Sequence, residues 1–224
     1  MKSDNLLIDL EKAGLWALVA IILLPPLLDL AEVISVNTPN QWLVYDYLRK
    51  SSLLGVMFLL PGMRRCIWNS FGTIRRQYEA TPMLWLRIGA IVMFASLLEI
   101  LQDVILTSWV GELLPDISWM EKWRIEAGFL RFVDLTFGLA LTAVAEEFIF
   151  RSLAMHLLQR VLNRPWFVII VSSCVFGIFH LPYGLLNVAT ASIAGMILMV
   201  VYMQTKSIIP SIITHYLINV WYFS

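Results

Sequence analysis

Apolar residues in this chain come in long, nearly unbroken runs, and the polar residues gather between the runs instead of alternating with them. Runs at about 13–34, 83–107, 166–181, 185–204 and 207–223 approach the ~20 residues a helix needs to cross a bilayer. The first is interrupted at Pro25 and Pro26. A shorter run at about 51–63, "SSLLGVMFLLPGM", makes a weaker second span, with Trp42 as its furthest start. Residues 64–82 are polar, and 108–126 are mixed around "GELLPDISWMEKW". A long helix is expected over about 128–161, after which "NRP" at 163–165 turns the chain. The pattern predicts an all-α, polytopic transmembrane helix bundle of about seven spans. It contains neither an internal repeat nor a low-complexity tract.

Composition strengthens this picture. The chain is 59% apolar and only 14% charged, against roughly 45–50% and about 25% in soluble domains. Its 16 basic and 16 acidic residues cancel, so no global field points to nucleic acid and the implied surroundings are the lipid bilayer. Cys66 and Cys174 stand alone in apolar stretches and form neither a metal-spaced pair nor a disulfide framework. No convincing cleavage site follows the first run, which is therefore read as a retained span. With seven spans and the N-terminus inside, Lys2, Lys12, Arg64, Arg65, Arg75, Arg76, Arg160, Arg164 and Lys206 fall on the cytoplasmic face. Arg49, Lys50, Lys122 and Arg124 fall on the other. With no polar linker to divide it, the chain is expected to be one integrated domain. Residues 1–125 are spans without a recognised motif, and 126–224 hold the candidate chemistry.

Ionisable groups at membrane depth are costly and by default mark a functional site. Here they are Glu146, Glu147, Arg151, His180 and His215, joined by Asn219. Glu146 and His180 each lie about 15–17 residues from the turn near 161–165, roughly 20–25 Å at 1.5 Å per residue. His215 and Asn219 lie roughly 14 and 20 Å beyond Lys206, which marks the same membrane face. All four can therefore converge on one pocket. Glu147 and Arg151 are i,i+4 with the acid first, the favourable order for an ion pair within a helix. Glu146 projects about 100° away and stays outside that pair, available for proton transfer. His215 and Asn219 are also i,i+4, a ring and an amide on one face that could stabilise a developing oxyanion. Phe176 sits one turn before His180, where its ring can pack on the imidazole.

These residues form EExxFR at Glu146–Arg151, FxxxH at Phe176–His180 and HxxxN at His215–Asn219. In this order, on separate spans and with about 28 and 34 residues between them, they resemble the three motifs of the CPBP family. These are the CAAX proteases and bacteriocin-processing enzymes, also called Abi. The resemblance covers about 140–224. It implies an intramembrane endopeptidase in which Glu146, helped by His180, activates a water. His215 and Asn219 would form the oxyanion site, with Glu147, Arg151 and Phe176 in support. No metal is required in this mechanism; a zinc alternative would use Glu146, His180 and His215 as its three ligands. The implied substrate is a membrane-associated protein or peptide. The small size suggests a bacterial cytoplasmic membrane, and there a peptide precursor or C-terminal sorting tail.

Two other classes use the same polar network: a proton-coupled transporter and a non-catalytic membrane scaffold. Transporters often carry repeated halves, and none is visible. Glu99, Asp103 and Arg87 are also intramembrane charges but match no motif, and they are expected to be helix-packing or pore-lining groups.

Overall fold

Prolines at 39, 61 and 165 each open a helix, where a missing N–H costs nothing and the fixed φ suits the first turn. The computed structural model describes residues 36, 38–71, 82–115, 117–118, 125–162 and 164–224. Seven helices, and no strand, run through these described residues. They are α1 (Pro39–Leu59), α2 (Pro61–Ser70), α3 (Pro82–Trp109), α4, α5 (Pro165–Ile178), α6 (Leu185–Thr205) and α7 (Ile208–Phe223). Helix α4 is one continuous run of five stretches: Phe129–Val133, a π turn at Asp134–Gly138, Leu139–Glu147, a second π stretch at Phe148–Ala154, and Met155–Val161. The expected all-helical architecture holds.

Two boundaries differ from expectation. The run at about 51–63 is not one element: α1 begins at Pro39 and ends at Leu59, and α2 begins at Pro61. The residue before a proline avoids helical backbone, and Leu60 is extended there, with φ −82° and ψ 114°. The fifth apolar run also stops early, at Ile178. His180 therefore occupies a turn between α5 and a short 3₁₀ helix at Leu181–Tyr183. The first apolar run, 13–34, and Arg75, Arg76, Lys122 and Arg124 lie outside the described residues.

Among the described residues, two helices are long and apolar enough to cross a membrane, over Met83–Trp109 and Leu185–Thr205. The α3 window is only 22% buried inside the protein. A core helix of that hydropathy in water would be covered, whereas Met93, Phe94, Leu97 and Leu101 lie open, as a lipid-facing surface does. Helices α5 and α7 are apolar but shorter.

The core wraps the second π stretch, whose seven residues are all buried. Phe148, Ile149, Phe150, Leu153 and Ala154 meet Met57 of α1, Met63 and Ile67 of α2, Phe176 of α5 and Ile208 of α7. Helices α5 and α6 make the most extensive pairing among the described residues, and glycine permits it. A Cβ at Gly177 would fall on Ser192 Oγ and the Val188 carbonyl, and one at Gly195 would press on Ser173 and Phe176. Helix α7 is pinned along α4: Tyr216 donates to the Leu135 carbonyl in the first π turn at 3.2 Å. Arg131 closes the far end, donating to the Phe223 and Ser224 carbonyls at 2.9 and 3.1 Å, groups that a helix C-terminus otherwise leaves unsatisfied.

Candidate active site

Glu146 and Glu147 end the central α stretch of α4, immediately before the second π stretch. Such wide turns recur at functional sites. Here the turn returns Arg151 to Glu147, with Arg151 Nη1 3.1 Å from Glu147 Oε1. The pair is almost fully removed from solvent, at 1% and 0% side-chain exposure. Arg151 Nη2 also donates to the Gly195 carbonyl on α6 at 3.2 Å, and its guanidinium carbon lies 4.7 Å over the Phe176 ring.

Glu147 has two further polar partners besides Arg151. His215 Nδ1 lies 2.9 Å from Oε1, and Ser211 Oγ donates to Oε2 at 2.5 Å. An ionised carboxylate only accepts, so its bond to His215 places a hydrogen on Nδ1. The ring's other nitrogen, Nε2, faces Glu146 Oε2 at 3.6 Å. His215 therefore bridges the two glutamates, a relation that helical spacing could not reveal because it crosses from α7 to α4. Glu146 is outside the Arg151 pair, as expected, but it lies against His215.

His180 is oriented by its own turn. Its Nδ1 is 2.9 Å from the Phe176 carbonyl, which can only accept. Nδ1 therefore carries a hydrogen, and Nε2 is the acceptor of the neutral ring. The Phe176 ring packs on His180 at a centroid distance of 4.8 Å and lies 6.0 Å from His215. Phe176 thus touches Arg151 and both histidines.

Glu146, His180, His215 and Asn219 all line one cavity of about 230 Å³, room for several waters at about 30 Å³ each. Elements α4, the α5–α6 turn and α7 bring them together. Among the described residues, no three His, Cys, Asp or Glu side chains are grouped as a metal ion requires. His215 has Glu147 on Nδ1 at 2.9 Å and turns Nε2 toward Glu146 at 3.6 Å.

Sequence reasoning missed two contributions. Ser211 had a signal: Ser211, His215 and Asn219 recur every four residues and draw a polar stripe along an otherwise apolar helix. The other comes from α1, whose Asp46, Arg49 and Lys50 line the same cavity. Lys50 Nζ contacts Asp46 Oδ2 and Thr142 Oγ1, both at 2.6 Å. Arg49 and Lys50 had been read only as loop charges for orientation. Glu99 and Asp103 of α3, expected to line a pore or pack helices, also line the cavity.

Residues 128–221 match the family model described as Type II CAAX prenyl endopeptidase Rce1-like. The segment is similar to that family, and for that match we call it the Rce1-like domain. The matched stretch contains all three motifs and agrees with the CPBP resemblance. No curated protein and no solved structure matches the chain. Residues 128–221 supply Glu146, His180, His215 and Asn219, while α1 and α3, both outside that stretch, also line the cavity.

Proposed function

We propose that the chain is an intramembrane endopeptidase that hydrolyses a peptide bond in a membrane-associated protein or peptide. The observation that carries this reading is that four motif residues, from separate parts of the Rce1-like domain, line one cavity with room for several waters. Glu146, helped by His180 from the same cavity lining, takes a proton from a water. The water oxygen then bonds to the carbonyl carbon, and the carbonyl electron pair moves onto oxygen. Asn219 Nδ2 and a protonated His215 stabilise that oxyanion. When the electron pair returns, the carbon–nitrogen bond breaks, and the proton held by Glu146 passes to the leaving amine. Glu147 holds His215 through Nδ1, which keeps Nε2 directed at the cavity. No step requires a metal ion.

The family description suggests the first substrate to try: a farnesylated peptide ending in cysteine, two aliphatic residues and a variable residue. The purified protein in nanodiscs should release the C-terminal tripeptide, with activity surviving chelator. Glu146→Gln keeps the side-chain shape but removes the base, so turnover should fall by ~10²–10⁴. Undiminished cleavage by Glu146→Gln would remove this carboxylate from the mechanism.

A further inference from the structure

Among the described residues, five carboxylates line the cavity, Asp46, Glu99, Asp103, Asp134 and Glu146, against the two cationic side chains of Arg49 and Lys50. Several of the acids are already engaged. Asp46 is held by Lys50 at 2.6 Å and Arg49 at 3.2 Å, Asp134 accepts from Tyr47 at 3.1 Å, and Glu146 faces His215. Glu99 differs. It is 3% exposed, Oε1 accepts from Gln102 Nε2 at 2.8 Å, and Oε2 has no hydrogen-bond partner among the described residues. A buried acceptor left unfilled is costly, and the residue that carries it, Glu99, is part of the cavity lining.

We propose that Glu99 forms a specificity subsite that receives the side-chain ammonium or guanidinium of a lysine or arginine lying next to the scissile bond. The proposal rests on the endopeptidase reading and narrows its substrate class to peptides with a basic residue near the cleaved bond. The excess of carboxylates over cations on the wall favours that charge and disfavours an acidic side chain. Glu99 acts here by binding, from a helix outside the Rce1-like domain, and takes no part in proton transfer. Arg151 lies near enough for its charge to interact with Glu99. The competing role is therefore a structural counter-ion, which would affect folding and leave selectivity alone.

The test uses farnesylated peptides that differ only in carrying lysine, norleucine or glutamate, at the position before the lipidated cysteine or at any of the three after it. Full-length protein in nanodiscs is assayed for kcat/KM, and the same peptides are titrated by fluorescence anisotropy against the Glu146→Gln protein. A charge-assisted bond to a buried carboxylate should make lysine better than norleucine by roughly ten- to a hundredfold at one position. Glutamate should be worst there. Glu99→Gln should bring the lysine-to-norleucine ratio near one, mainly through KM, and Glu99→Lys should turn the preference toward glutamate. Wild-type protein that shows no preference for lysine at any position overturns the subsite, whether or not the variants fold. So does a Glu99→Gln protein that loses thermal stability but keeps its selectivity. Binding selectivity that depends on Glu99 without any cleavage would keep the subsite and sink the protease reading. Cleavage without selectivity would do the reverse.

Discussion

Two buried glutamates, 48 residues apart in the chain, differ in how fully their oxygens are satisfied. Glu147, inside the Rce1-like domain, has Arg151, His215 and Ser211 on its two oxygens. Glu99, on α3 and outside the domain, has Gln102 on one oxygen and no partner on the other. A carboxylate that is fully paired at 0% exposure can only hold its neighbours in place. One with an unfilled lone pair on a cavity wall can still accept something. The difference separates the machinery that fixes geometry, all on α4 to α7, from a wall that can read a substrate.

The largest effect should come from breaking the paired side. Arg151→Ala leaves the Glu147 charge without its guanidinium, at a cost of about 3–5 kcal/mol. Unfolding of the purified variant in detergent measures this. The double variant Arg151→Ala/Glu147→Ala should recover part of the loss, since an uncompensated charge is the main penalty. A single variant as stable as wild type would mean that Ser211 and His215 alone suffice for Glu147.

Asn219→Ala tests the catalytic side without disturbing the ion pair. Loss of one oxyanion donor should lower kcat by ~10²–10³, about 2.7–4 kcal/mol of barrier, with KM largely kept. An effect confined to KM would instead place Asn219 in substrate binding.

A smaller change is expected from Ser211→Ala, which deletes one hydrogen bond to a buried carboxylate. The loss should be about 1.5–3 kcal/mol of stability, read from the same unfolding assay. Ser211→Thr, which retains a hydroxyl, should recover part of it. If Ser211→Ala costs nothing, the short contact to Glu147 contributes no net stability.

Glu99→Gln should have the smallest effect on stability, within about 1 kcal/mol and on the stabilising side. Replacing a half-satisfied buried carboxylate by an amide removes a desolvated charge without stranding a partner. A loss as large as that of Arg151→Ala would erase the contrast between the two glutamates.

Much of the fold was legible because apolar runs and prolines act locally. The helix over 128–161 and the last two helices lie within a residue or two of their expected limits, and the all-helical class follows from the length of the runs. The break at Leu60 was also written in the sequence, since Pro61 disfavours helical backbone before it; the apolar run hid it. The close helix crossing at Gly177 and Gly195 came from the packing, which sets them against Ser192, Val188, Ser173 and Phe176. In the site, four-residue spacing revealed the Glu147–Arg151 pair and placed Phe176 against His180.

The sequence by itself determined which polar residues lie on which helices and which of them share a face, because rise and turn per residue are properties of one backbone. Only the tertiary structure decided what those faces meet. That His215 bridges Glu146 and Glu147, that Ser211 completes the Glu147 shell, and that His180 sits in a turn beyond the end of α5 depend on how separate helices pack. The placement of Asp46, Arg49, Lys50 and Glu99 on the cavity wall depends on it too. Helix α3 shows the reason most clearly: it is apolar almost all round, so its hydrophobic pattern names no preferred side. The side turned toward the cavity is set by where α3 rests against α6 and α7.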